Sequence, residues 1–218
     1  GSISSQFISS ILIAAPYAVT ETEVTISSAP VSGSYLDITL EVMQAFGASV
    51  TREGYTRFLV SNTQRYTGRT FAIEGDYSSS SYFFAIAAIC GGSMTVKNLE
   101  PDSVQGDRRF PDILASMGCT VTYSGQDVTV ERGRELHGIT VDMSTSPDTV
   151  QTLCMVAAMA DTPTTITGIS HLKFKESDRI TSTAERLKSL GGDVQVGDDR
   201  ITIHPASLHG GVIDPEND

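Results

Sequence analysis

Apolar and polar positions change their period repeatedly along the chain, and the changes come in the same order three times. A Ser-rich opening stands at Gly1-Ser-Ile-Ser-Ser-Gln6, at Gly75-Asp-Tyr-Ser-Ser-Ser80 and at Asp142-Met-Ser-Thr-Ser-Pro-Asp148. An apolar run follows each and ends near Ala15, Ala88 or Ala158. Small hydroxyl residues ahead of an apolar run supply the acceptors that a helix N-terminus needs, so each run is predicted to be a helix. Short β-rich runs come next, at Val24-Thr-Ile26, Met94-Thr-Val96 and Thr164-Thr-Ile166, and then a polar loop carrying Asp37, Asp107 or Asp178.

A second, amphipathic helix follows each loop and stops at Phe46-Gly47, Met117-Gly118 or Leu190-Gly191. Phe110, Ile113, Leu114 and Met117 share one face at i, i+3, i+4, i+7, and Ile180, Ala184 and Leu187 do so at i, i+4, i+7. The closing glycine suits a left-handed C-cap. Two strands then finish each repeat, as Cys119–Tyr123 with Val128–Val130 across Ser124-Gly-Gln-Asp127, and Asp193–Val196 with Ile201–Ile203 across Gly197-Asp-Asp. Phe71-Ala-Ile73 and Ile139-Thr-Val141 are predicted as opening strands. The repeat is therefore βαβαββ with a period of about 70 residues, and the fold class is α/β (α+β). Repeat one lacks its opening strand, while Leu208-His-Gly echoes Leu136-His-Gly138 and Gly211-Val-Ile213 is expected to open a fourth repeat. Three repeats with unmatched ends lead us to expect a piece of a longer protein.

Composition narrows the function classes. With 39% apolar residues the chain can bury a sizeable core, and no apolar run approaches the length of a membrane span. A soluble protein with no membrane partner is expected. The formal charge of −11 argues against a nucleic-acid partner, because counterion release requires clustered Lys and Arg. Anionic substrates would have to be held by a few local cations and backbone dipoles against that field. Cys90, Cys119 and Cys154 have no metal-knuckle or redox-pair spacing, so they are expected as small core residues in a reducing cytoplasm. His137, His204 and His209 have no partner at metal-ligand spacing in the sequence; neither a metal nor a cofactor is expected.

Five motifs lie in register along the chain: the Gly1–Phe7 opening, Ser-x-x-Tyr-x-Asp from Ser32 to Asp37, Glu74-Gly-Asp-Tyr-Ser-Ser79, Gln105-Gly-Asp107 and Lys175-Glu-Ser-Asp-Arg179. Together they resemble the enolpyruvyl transferases, and within them the EPSP synthase family. The resemblance implies a parent of six βαβαββ units, three per domain, with two domains that close over the substrates. Residues 1–70 would be the last unit of one domain, and residues 71–218 two units and the opening strand of a third from the other. It implies transfer of the enolpyruvyl group of phosphoenolpyruvate to the 5-hydroxyl of shikimate 3-phosphate, in a monomeric cytoplasmic enzyme of aromatic amino acid biosynthesis. It also implies that a Lys-Ser motif, an Arg-bearing phosphoenolpyruvate loop, a His-Arg pair and a late Lys lie outside these residues, so the piece alone is expected not to turn over.

The site residues follow from the same resemblance, each beside a plainer reading. Ser4 and Ser5 would offer a helix N-terminus to the substrate phosphate, or simply cap the helix. Gln6 would bridge both substrates, or be a surface amide. Ser32 and Tyr35 would contact the phosphate or ring of shikimate 3-phosphate, with ordinary packing as the alternative for Tyr35. Ser79 and Ser80 are expected as capping residues. Asp148 would accept the 5-hydroxyl proton, or only complement a helix dipole. Arg179 would supply a guanidinium fork to phosphoenolpyruvate, Glu176 would protonate its carbon 3, and Lys175 would bind a shikimate hydroxyl. A charged capping loop is the plainer reading of all three. Asp178 is expected to be structural, because Asp37 and Asp107 recur in the other repeats, whereas Lys175 and Glu176 have no counterpart. His171 stands where the resemblance leads one to expect Asn, and would donate to a phosphate with a charge that depends on pH. Two other readings remain: a sister enzyme that uses a UDP-amino sugar as acceptor, and a non-catalytic repeat module.

Overall fold

The computed structural model describes residues 5–27, 33–175 and 177–214. The chain divides into two compact bodies, residues 1–73 with 104–106, and residues 74–103 with 107–218.

The first body carries helix α1 (Gln6–Ala14), strand β1 (Thr22–Thr25), helix α2 (Ser34–Ala45) and the hairpin β2 (Thr51–Glu53) and β3 (Arg57–Val60). Its antiparallel sheet has the order β1-β3-β2, and Ile8, Leu12, Leu36, Met43, Phe58 and Val60 form its core.

The second body contains two repeats in sequence. The earlier one is α3 (Tyr77–Cys90), β4 (Ser93–Val96), α4 (Arg109–Ser116), β5 (Thr120–Ser124) and β6 (Asp127–Glu131), with an antiparallel sheet β4-β6-β5. The later one is β7 (Thr140–Asp142), α5 (Val150–Ala157), β8 (Thr164–Thr167), α6 (Arg179–Ser189), β9 (Asp193–Val196) and β10 (Arg200–His204), with a sheet β7-β8-β10-β9 in which β7 runs parallel to β8. One core spans both repeats. The faces predicted from spacing are buried in it: Phe110, Ile113, Leu114 and Met117, and Ile180, Ala184 and Leu187. Each such Leu or Ile contributes about 1.5–3 kcal/mol by leaving water.

The repeat is most visible where each second helix stops. Gly47, Gly118 and Gly191 have φ of +92°, +106° and +91°. Each donates its N–H to the carbonyl three residues back, at Gln44, Ala115 or Lys188, at 3.0 Å. The next residue's N–H returns to Met43, Leu114 or Leu187 at 2.8–3.0 Å, which completes a Schellman cap. A later segment then crosses the cap. The N–H groups of Thr67, His137 and His209 donate to the carbonyls of Phe46, Met117 and Leu190 at 2.8–2.9 Å.

Three expectations are corrected. Phe71–Ile73 is not a strand, because the Phe71 ring packs on Phe46 at 5.5 Å and Gly75 donates to Asn98 O, so the chain enters beyond the end of β4 and not beside it. Gly211–Ile213 is not a strand either; this segment runs past α6, where Arg186 Nε donates to Asp214 O at 2.8 Å, and Val212 is fully exposed. Cys119 and Cys154 are buried, but Cys90 is exposed. Cys90 shares the outer phase of α3 with Phe83 and Ile86, while Tyr77, Ser81, Phe84 and Ala88 face inward.

Candidate active site

In the second body the first turns of three helices meet at one polar pocket of about 400 Å3, lined by Ser78, Ser79, Asp148, Gln151, Arg179 and Ser182 among others. Each helix reaches it through local sequence. Asp76 caps α3, accepting from the N–H groups of Ser78 at 3.0 Å and Ser79 at 3.2 Å. Pro147–Thr149 form a 3-10 turn that leads into α5 and places Asp148 at its mouth. Asp178 caps α6, accepting from Thr181 N–H at 3.1 Å and Thr181 Oγ1 at 2.7 Å. The positive ends of three helix dipoles make such a pocket favourable to anions.

Arg179 Nη1 donates to Asp148 Oδ1 at 2.7 Å, across 31 residues of sequence. The pair is part-buried, with side-chain exposures of 17% for Arg179 and 35% for Asp148, so water screens it only in part. Lys175 and Asp148 both act electrostatically on His171, which places the four side chains in one neighbourhood. His171 is buried, and its Nε2 has no hydrogen-bond partner among the described residues. Burial, followed by the Lys175 charge, lowers its pKa, so the ring is neutral at pH 7. A donor role toward a phosphate would then fall to the neutral imidazole N–H.

Beneath the pocket lies Asp107, only 6% exposed. Its carboxylate accepts from Ser78 Oγ at 2.6 Å and from Thr149 Oγ1 at 3.1 Å. Burial raises its pKa to about 6 against the lowering by these two hydroxyls, and the nearby carboxylates of Asp148 and Asp76 add to the rise. The recurring aspartates thus differ in role. Asp178 is a cap, as expected, while Asp37 lies inside α2 and binds Arg52 and Tyr55.

The first body holds the remaining described candidates. Ser5 is buried at the N-cap position of α1 and makes no side-chain cap bond; Gln6, next to it, is exposed. Tyr35 is half-buried in the first turn of α2, and Ser9 and Thr39 join early turns of α1 and α2 through hydroxyls 2.8 Å apart. Ser4, Ser32 and Glu176 lie outside the described residues. Ser79 and Ser80, expected as capping residues, are not the cap of α3, which is Asp76: Ser79 Oγ donates to its carboxylate and Ser80 Oγ to its carbonyl from within the helix.

Residues missed in the sequence are Ser78, Gln151 and Ser182, drawn together by helix N-termini far apart along the chain, and Asp107, which is bound to them through Ser78. A further correction concerns His137. Backbone pairing of Asp161 N–H with Leu136 O at 2.8 Å brings Glu135 and Asp161 to it, with His137 Nδ1 at 2.8 Å from Asp161 Oδ2. All three are exposed, and the contact is accounted for as an imidazole–carboxylate pair.

The family described as EPSP synthase (3-phosphoshikimate 1-carboxyvinyltransferase) matches residues 1–218. The chain belongs to this family. A relative from Methanoregula boonei named 3-phosphoshikimate 1-carboxyvinyltransferase is 65% identical over the whole chain and 52% of its own length. The solved EPSP synthase of Acinetobacter baumannii superposes with a TM-score of 0.81 at 28% identity, over 99% of this chain and 51% of that one. The enolpyruvyl transferase NikO of Streptomyces tendae shares the fold, with a TM-score of 0.66 at 16% identity over 91% of this chain and 46% of its own. The chain thus has the α/β enolpyruvyl transferase fold and spans about half the length of the curated relatives it matches. Among the described residues no helix is long and apolar enough to cross a membrane.

Proposed function

We propose that the full-length protein transfers the enolpyruvyl group of phosphoenolpyruvate to the 5-hydroxyl of shikimate 3-phosphate, releasing phosphate, as a monomer in the cytoplasm. The observation that carries this reading is the Asp148–Arg179 pair in a pocket ringed by three helix N-termini. A base and an anion-binding fork are the two groups that the chemistry requires together. Phosphoenolpyruvate brings a carboxylate and a phosphate, and a guanidinium binds either through two parallel N–H donors. Such a ligand would draw Arg179 from Asp148 and leave the carboxylate oxygen to accept the 5-hydroxyl proton. The 5-oxygen then bonds to carbon 2 as carbon 3 takes a proton from Glu176. Loss of phosphate from the tetrahedral adduct, with return of a carbon 3 proton, restores the double bond. Lys175 would bind a shikimate hydroxyl, and His171 would donate to the substrate phosphate. Ser4, Ser5, Gln6, Ser32 and Tyr35 are proposed as contacts to shikimate 3-phosphate, with Gln6 reaching phosphoenolpyruvate as well.

Phosphate release by the full-length protein, given phosphoenolpyruvate with either shikimate 3-phosphate or a UDP-N-acetyl amino sugar, tests the reading. Release with shikimate 3-phosphate alone is expected. Release only with the sugar nucleotide, or with neither acceptor, would overturn it.

A further inference from the structure

Asp107 has no part in the scheme above, yet it occupies the most constrained position near the pocket. It stands in a 3-10 turn, Gly106–Arg108, just ahead of α4. One oxygen is bound by Ser78, from the pocket-lining first turn of α3, and the other by Thr149, the residue after Asp148. Thr149 Oγ1 also lies 3.2 Å from Ser146 O, so its single proton is shared between the Asp107 carboxylate and the turn that carries Asp148. The flanking cations are engaged elsewhere: Arg108 with Pro101 O, and Arg109 with Thr145 Oγ1 at 2.9 Å. From α3 and the mouth of α5 the charges acting on Asp107 are those of Asp76 and Asp148, both carboxylates.

We infer that Asp107 is a positioning residue for Asp148: its buried carboxylate ties the Asp148 turn to the start of α3, and its negative charge strengthens Asp148 as a base. The inference rests on the role proposed for Asp148. A carboxylate in low dielectric raises the proton affinity of a second carboxylate beside it, and the effect vanishes when the first is neutral. The burial that raises the Asp107 pKa to about 6 puts this change in a measurable range. As pH falls through that value Asp107 takes up a proton, Asp148 becomes a weaker base, and turnover slows.

The test is the pH profile of phosphate release by the full-length protein with phosphoenolpyruvate and shikimate 3-phosphate, for wild type and Asp107→Asn. Wild type is expected to lose kcat along an acidic limb near pH 6. Asp107→Asn, neutral throughout, should have a kcat roughly tenfold lower at pH 7.5, a KM changed less than twofold, and no ionisation near pH 6. Thr149→Val removes one tether and keeps the charge, so it should lower kcat and retain the limb; it also serves if Asp107→Asn does not fold. Loss of the limb in Thr149→Val, or a wild-type profile in Asp107→Asn, would overturn the inference and leave the proposed function standing. No turnover in wild type would instead remove the reading on which the inference rests.

Discussion

At Asp107 burial outweighs hydrogen bonding. Two hydroxyls favour the carboxylate, but loss of solvent raises its pKa from 3.8 to about 6. The folded state therefore holds this proton more tightly than the unfolded chain does. The group's contribution to stability is full below pH 4 and is lost as pH rises through about 6. Two pKa units correspond to about 3 kcal/mol, so Asp107→Asn should raise the unfolding free energy of the full-length protein by an amount on the order of 1–3 kcal/mol at pH 8. At pH 4 it should change little. Urea unfolding at both values checks this, and an equal effect at both would contradict it. A buried anion retained at a stability cost beside the proposed base is the pattern expected of a functional position. The sequence marked Asp107 only as part of the Gln105-Gly-Asp107 motif and assigned it no role, because it recurs with Asp37 and Asp178 and looks like scaffold. Only the burial and the two hydroxyl partners, 29 and 42 residues away, separate it from them.

The second-helix ends are where local sequence decides structure. A residue with a Cβ at Gly118 would meet Glu135 O at 2.6 Å, and at Gly191 would meet Ser207 O at 3.1 Å, both at positive φ. Gly118→Ala should therefore destabilise the protein by about 1–3 kcal/mol, and more than Gly191→Ala, because only the first adds a severe backbone clash to the conformational strain. Chemical unfolding of the two variants orders them; equal midpoints would contradict the packing account. These ends were legible because the i, i+3, i+4, i+7 face and its closing glycine are both local. The Phe71–Ile73 strand was not, since a strand exists only where a partner edge is offered, and here the ring of Phe46 holds Phe71 instead. Strand pairing varies with each repeat in the same way. Thr95–Thr129 at 2.8 Å and Thr165–Thr202 at 3.2 Å are equivalent cross-strand hydroxyl pairs. In the first body Thr25 pairs with Arg57, whose guanidinium binds Glu23 and Glu53.

For the whole molecule, the repeats supply helix N-termini at regular intervals, and the proposed function depends on which of them carry charged side chains. The mouths of α5 and α6 present Asp148 and Arg179, while the corresponding start of α3 presents serines. That asymmetry was legible as the non-recurring Lys175 to Arg179 stretch, although the roles of its residues came from the family resemblance. The convergence of Ser78, Gln151 and Ser182 on the pair was not legible, since it depends on how two repeats pack through one core. The central claim is that Asp148 takes the proton from the acceptor hydroxyl. It is tested most directly by kcat for phosphate release from saturating phosphoenolpyruvate and shikimate 3-phosphate, in full-length wild type and Asp148→Ala of equal thermal midpoint. A fall of roughly 100- to 10,000-fold is predicted. Turnover at the wild-type rate in Asp148→Ala would contradict the account.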